Sequence, residues 1–344
     1  MNIKNKILNR LGLARNHLIL DDYNKSITHF DTSIGSLNVG DEIINDSAYK
    51  HLKDIFPMRQ FIRLTTHDGI SNVGLNRSSV SDYRFICGSN LLNSNLILSQ
   101  QWNFTLLDFI RMKNMIVMGV GWSNYQANPS IATSWVLRNR LDPNYYHSVR
   151  DTYTETQLKS IGIKNVINTS CPTMWDLNEA HCEKIPTDKS ENVVFTLTDY
   201  RPDVRRDEYL ISTLKRCYDN VYFWVQGSKD LSYFYSLDNS IKENIIIIPP
   251  SLNDYDEILD SELSLDFVGT RLHAGIRALQ KSRRTIIIGV DNRAIEKNKD
   301  FNIPVILRTD LEEKLFSMIE SKFKTEINLP EENIRKWKMQ FSNN

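Results

Sequence analysis

Short apolar runs alternate along the chain with segments in which apolar residues recur at helical spacing, the pattern of strands joined by amphipathic helices. Ser261 to Arg293 shows it most plainly. Two apolar segments, LDFVG and TIIIG, flank HAGIRALQK, in which Ala274, Ile276, Ala278 and Leu279 share a helical face. This predicts strand, turn, helix, strand, a βαβ unit of a parallel sheet. Gly269 ends the first strand, and Arg271 and His273 fall where the turn passes into the helix. In open α/β folds that carboxyl edge is where ligands bind. Two basic or proton-carrying side chains oppose the positive end of the helix macrodipole unless an anion sits between them.

The same alternation extends over most of the sequence. SITHF leads into a loop of small residues, Gly35, Ser36, Asn38 and Gly40, with Asp41 expected to cap a helix carrying Ile43, Ile44, Ala48 and Leu52. DYRFIC and KNMIVM read as strands ending at Gly88 and at Gly119-Val120-Gly121. Near YYHSVRD a short strand meets a helix from Thr152 to Ile161, opened by Asp151 and stopped by Gly162, and a second short strand closes at Cys171-Pro172. The polar segment 178 to 191 reads as a linker, after which NVVFTLTDYR, NVYFWVQG and KENIIIIPP restart the pattern. Arg201 ends the first of these strands and Gln226 the second; TIIIG runs into Asp291 and Arg293. FNIPVILR and two helices close the chain. The expected fold is α/β, two Rossmann-like parallel-sheet domains facing a cleft: residues 1–180, residues 190–310, and helices in 311–344 packing back on the fold.

Composition narrows the chemistry. At 344 residues, 41% hydrophobic, the chain is long enough for two cores. Its 42 basic and 42 acidic residues give no global field for nucleic acid or an anionic membrane, so an anion site must be local. The four cysteines lack zinc or redox spacing and read as reduced and buried, in keeping with a cytoplasmic protein that can sit at the inner face of the membrane. Residues 1–20 read as an amphipathic helix without the features of a secretory signal, and a peripheral membrane association is one use for it. Neither a dinucleotide fingerprint nor a Walker loop occurs, and the Asp-x-Asp at 254–256 reads as a solvated helix N-terminus. No metal site and no cofactor are expected.

The segment at Gly269, Thr270, Arg271, Leu272, His273 and Ala274 resembles the polysaccharide pyruvyl transferase family, in which Gly-x-Arg-Leu-His-Ala opens a helix of the second domain. Asn38, Gly40 and Asp41 match its Asn-x-Gly-Asp, and Ser148, Arg150 and Asp151 its Ser-x-Arg-Asp. Of a run of three glycines only Gly88 remains; Gly121 matches the next glycine element, and Asp291 is followed by Arg293 where the family has lysine. The resemblance implies a GT-B-like transferase that uses phosphoenolpyruvate to place a pyruvate ketal on a sugar of a cell-surface polysaccharide or its lipid-linked precursor. Arg271 and Arg150 would hold the anionic donor, with Arg201 and Arg293 as lesser candidates. His273 would move the proton, Asn38 and Asp41 would face the acceptor, and Gly40, Gly88, Gly121, Gln226, Gly269, Leu272 and Asp291 would complete the substrate site. The alternatives are a GT-B glycosyltransferase using a nucleotide sugar and a non-catalytic sugar-binding protein of an envelope assembly complex.

Overall fold

The computed structural model describes residues 25–98, 102–104, 108 and 111–342, and the chain divides into two units. The helix expected in residues 1–20 lies outside the described residues.

One unit contains residues up to Ser36, Ile44–Pro172 and Pro330–Asn344. Its strands β1 (Ser26–Asp31), β2 (Gln60–Thr65), β3 (Tyr83–Cys87) and β4 (Met115–Met118) form a parallel sheet in the order β2-β1-β3-β4. A second parallel pair, β5 (His147–Val149) and β6 (Val166–Asn168), adjoins it through a bridge from Val120 to Val149. Phe30, Ile86, Val117, Trp122 and Leu158 lie in one buried cluster. The expected strands are present. β2 was not anticipated, because QFIRLT is a half-exposed edge strand without a clean alternation.

The other unit contains Leu37–Ile43 and Thr173–Leu329. Strands β7 (Asn192–Thr196), β8 (Asn220–Trp224), β9 (Ile245–Ile248), β10 (Leu265–Gly269), β11 (Thr285–Gly289) and β12 (Val305–Leu307) form one parallel sheet in the order β12-β11-β10-β7-β8-β9. Alternate residues serve opposite faces: Val194, Trp224, Phe267 and Ile287 enter one core, and Phe195, Phe223, Val268 and Ile288 the other. A sheet covered on both faces explains why these strands read as continuous apolar runs.

The division differs from the expected one for identifiable reasons. Leu37–Ile43 belongs with the second unit because Val39 N–H donates to Gln226 O (3.0 Å) and Ser228 N–H to Leu37 O (3.0 Å). The segment read as a linker is anchored instead: it holds the short helix Glu179–Cys182, and Cys182 and Ile185 join the core. The helix Leu311–Glu320 places Leu311, Leu315 and Ile319 beside Leu210, Ile211 and Leu214 in the second unit, whereas Glu331–Met339 belongs to the first, where Trp337 packs edge-on against Phe85. Asp41 is not the helix cap, since the helix Gly40–Ile55 already includes it; Asn38 serves the turn, accepting Gly40 N–H on Oδ1 (3.1 Å) and Asp41 N–H on its carbonyl (3.0 Å).

Candidate functional site

The chain leaves β7 toward β8 on one side and returns through β10 on the other, so the strand order reverses between β7 and β10. This is the switch point at which open α/β sheets present a crevice beyond the strand ends. The register sets Gly269 beside Thr196, and the two loops continue in contact: Thr270 N–H donates to Thr196 O (3.1 Å), and the Thr198 and Thr270 hydroxyls are 2.8 Å apart. Gly269 is needed here, since a Cβ would lie 2.4 Å from Thr196 Oγ1.

Arg271 emerges from this point as the N-cap residue of the helix Leu272–Gln280. It is only 5% exposed. Its Nε donates to Leu197 O (3.0 Å) and Asp230 Oδ2 (3.0 Å), and its Nη2 to Asp199 Oδ1 (2.7 Å) and to Asp230 Oδ1. Nη1 makes no hydrogen bond among the described residues. Asp230 is fully buried and also accepts the N–H groups of Gly227 (2.7 Å) and Asp199 (3.1 Å). Burial pushes the Asp230 carboxyl above its ordinary range, against Arg271 and the Gly227 N–H, which hold it down. The guanidinium is therefore held in one plane with one edge left over.

The opposing charge was not visible in the sequence, where Arg271 stands against the dipole of the helix it opens. Asp230 and Asp199 resolve that conflict from 41 and 72 residues away. The helix has no side-chain N-cap hydrogen bond. Leu272 and His273 form its first turn, both nearly buried.

Three further segments meet the same strand ends. Gln226, after β8, donates through Nε2 to Asn38 Oδ1 (2.7 Å), the atom that also accepts Gly40 N–H. Gly40 packs so closely that a Cβ would sit 2.6 Å from Gln226 Nε2. At Gly227 a Cβ would lie 2.2 Å from Arg271 Nη2, so the residue after Gln226 must be glycine for the guanidinium to pass. After β11, Asp291 caps the helix Asn292–Phe301 and takes Arg293 Nε (2.9 Å) and the Tyr200 hydroxyl (3.2 Å). The half-exposed Tyr200 ring lies 5.0 Å from the Arg271 guanidinium and 5.8 Å from that of Arg293. Burial works against the Arg293 charge, yet Asp291 and Tyr200 outweigh it and raise its pKa, with Asp41 adding to the effect. Partial loss of water around its hydroxyl raises the Tyr200 pKa too. Asn38, Gly40, Asp41, Gln226, Gly269, Arg271, Leu272, His273, Asp291 and Arg293 thus belong to one unit, joined by Asp199, Tyr200 and Asp230, which sequence reasoning had not singled out. Arg201 is exposed in the following turn, where its carbonyl accepts from Arg308 (2.5 Å).

Arg150, Gly121 and Gly88 belong to the other unit. Arg150 is 3% exposed: Nε donates to Asp151 (2.9 Å), Nη2 to Trp122 O (3.0 Å) and Nη1 to Asn90 Oδ1. The guanidinium lies against Gly121, where a Cβ would meet Cζ at 2.1 Å. Asp151 also caps the helix Thr152–Ser160; burial alone would raise its pKa, but Arg150 and Thr154 hold it below the usual carboxylate range. Gly88 has a φ of 62°, and Ile44 fills the space its side chain would need, at 2.1 Å. A further buried group at the end of β1, His29 with Asn45 (3.0 Å) and Asp31 with Arg63 (2.7 Å), had no signal beyond polar residues in an apolar strand. Among the described residues no cluster of three or more His, Cys, Asp or Glu is placed to hold a metal ion.

Known structures share this architecture at low identity. S. aureus MnaA, in its co-structure with UDP, superposes with a TM-score of 0.51 at 11% identity over 93% of this chain and 98% of that one. The Methanocaldococcus jannaschii UDP-GlcNAc 2-epimerase, in complex with UDP-GlcNAc and UDP, gives 0.50 at 11% identity over 91% and 98%. At such identity the likeness establishes the α/β fold alone. No curated protein matches the sequence. The model of the family described as polysaccharide pyruvyl transferase matches residues 38–292, which span β7 to β11, the Gly269–Ala274 motif and the Arg150 segment. The chain belongs to the polysaccharide pyruvyl transferase family and is a polysaccharide-modifying transferase.

Proposed function

We propose that this enzyme moves a pyruvyl unit from phosphoenolpyruvate onto two hydroxyls of one sugar in a cell-surface polysaccharide or its lipid-linked precursor, forming a cyclic ketal and releasing phosphate. The observation that carries this reading is Arg271 at the β7/β10 switch point, oriented by Asp230 and Asp199, with Nη1 left over beside a helix start that has no side-chain cap. That edge and the first N–H groups of the helix suit a phosphate or carboxylate. A guanidinium already turned toward its ligand binds without reorganising.

In the proposed reaction a proton is delivered to the methylene carbon of the donor, leaving a cationic carbon that a sugar hydroxyl attacks as it loses its own proton. Attack of the neighbouring hydroxyl at the same carbon then expels phosphate, so the two sugar protons balance the proton gained by the methyl group and the one carried by phosphate. His273, in the first turn of the helix, is the candidate for proton transfer, because imidazole changes protonation near neutral pH. Arg150 is a second candidate for donor charge, and Arg293 and Arg201 are lesser ones. Asn38 and Asp41 are candidates for the acceptor hydroxyls. The lipid-linked form of the acceptor would place the work at the inner face of the membrane; no helix among the described residues is long and apolar enough to cross one.

The test is incubation with phosphoenolpyruvate and candidate sugar acceptors, following phosphate release and the product mass. Phosphate release matched by the mass gain of a pyruvate ketal is expected. A product enlarged by a whole sugar, with nucleotide released from a nucleotide-sugar donor and phosphoenolpyruvate untouched, would sink the pyruvyl reading.

A further inference from the structure

Four exposed large apolar side chains of the first unit stand on two neighbouring elements. The 3-10 turn Leu96–Leu98 adjoins the helix Ile131–Arg140, joined by Leu96 N–H to Thr133 Oγ1 (2.8 Å) and Ser130 N–H to Ser94 O (2.8 Å). The helix turns Thr133, Val136 and Leu137 inward. Outward stand Ile131 (89% exposed) and Trp135 (54%), and from the turn Ile97 (60%) and Leu98 (83%). Side chains exposed to this degree protrude; they do not line a groove, so the complementary surface must be one that a bump can enter.

Charge points to the same kind of partner. The whole chain balances 42 basic against 42 acidic residues, yet residues 89–98 and 130–141, which build this face, contain no acid, and their two cations are the exposed Arg138 and the buried Arg140. Arg138 is exposed on the same helix as Trp135, and the Arg140 guanidinium lies 5.8 Å from the Trp135 ring. A folded protein partner usually presents both signs of charge and would find no carboxylate on these two segments to pair with its cations. An anionic bilayer presents one sign only and an interface into which protruding Leu, Ile and Trp insert.

We infer that this face docks on an anionic membrane surface, with Ile97, Leu98, Ile131 and Trp135 entering the headgroup boundary and Arg138 meeting lipid phosphates. The contact is interfacial. It does not depend on which group the enzyme transfers.

The test is co-sedimentation of the full chain with phosphatidylglycerol–phosphatidylcholine vesicles and with phosphatidylcholine alone. Binding to the anionic vesicles, weakened by salt, is expected. The double variant Leu98→Ser/Ile131→Ser should bind at least about tenfold more weakly, since each side chain loses most of its apolar area. Met58→Ser removes an apolar side chain 91% exposed elsewhere in the same unit and should leave binding unchanged. All three sites are on the surface, and circular dichroism should show no loss of fold. Failure of the wild-type chain to sediment with anionic vesicles, or wild-type binding by the double variant, overturns the proposal. So does sedimentation equilibrium showing that the double variant dissociates a self-associated form, because the face would then belong to a second copy.

Discussion

Asp230 holds Arg271 along one edge of its guanidinium, taking Nε at 3.0 Å on one carboxylate oxygen and Nη2 on the other, and neither side chain is more than 5% exposed. Removing one partner of such a buried pair leaves the other uncompensated, at a cost of about 3–5 kcal/mol. Asp230→Asn should lower stability by an amount of that order, moderated by Asp199, and raise the donor KM by at least about tenfold while kcat changes less. Denaturant melts and donor saturation curves check both. A destabilised variant with the wild-type donor KM would make Asp230 purely structural.

Gly227→Ala offers the same disturbance without changing a charge. The new Cβ would sit 2.2 Å from Arg271 Nη2, and the guanidinium cannot swing away without leaving Asp230 and Asp199. Donor binding should weaken as it does in Arg271→Lys, which keeps the charge and loses the fork. Isothermal titration with phosphoenolpyruvate would show it, and a Gly227→Ala chain that saturates like the wild type would mean that the guanidinium position is not critical.

Replacing His273 by alanine should cost on the order of a hundredfold or more in kcat if its ring transfers the proton. Single-turnover rates across pH provide the readout. Wild-type turnover would remove His273 from the chemistry.

Acid should weaken the first unit before carboxylate protonation does. Burial lowers the His29 pKa to about 4, despite Asp31 and Asn45, and lowers His147 to about 4 as well. Both rings are neutral in the fold and would be protonated in the unfolded chain below its ordinary value of about 6.5, so stability is complete above that pH and declines as pH falls toward 4. The linkage is on the order of 3 kcal/mol per histidine across the window. Melting temperature against pH should slope more gently between 6.5 and 4 in His29→Gln, and an unchanged slope would show that the ring is not held neutral.

The strands were legible because buried parallel strands are written as apolar runs, and the Gly269–Ala274 turn was legible because a glycine and two basic residues interrupt such a run. What surrounds Arg271 was not. Asp230 opens a short helix after β8, where an acid needs no special explanation, and Tyr200 lies in a loop without periodicity. Their roles come from strand order, which sets the ends of β7, β8, β10 and β11 near one another, and no local pattern encodes that order. Leu37–Ile43 joined the wrong half for a related reason, since two backbone hydrogen bonds to the Gln226–Ser228 turn decide its place.

The opposite end of the strand that bears Arg271 is moored as firmly. Asp266 on β10 takes the Tyr218 hydroxyl (2.8 Å) and Arg284 Nη1 (2.7 Å), and the same fully buried guanidinium donates to the carbonyls of Met318, Ile319 and Ser321 at the end of the helix Leu311–Glu320. A chain truncated ahead of Leu311 would strip three acceptors from that cation and loosen β10 from below. The tail, remote in sequence from every residue proposed to touch substrate, is in this sense a foundation for the turn that carries Arg271.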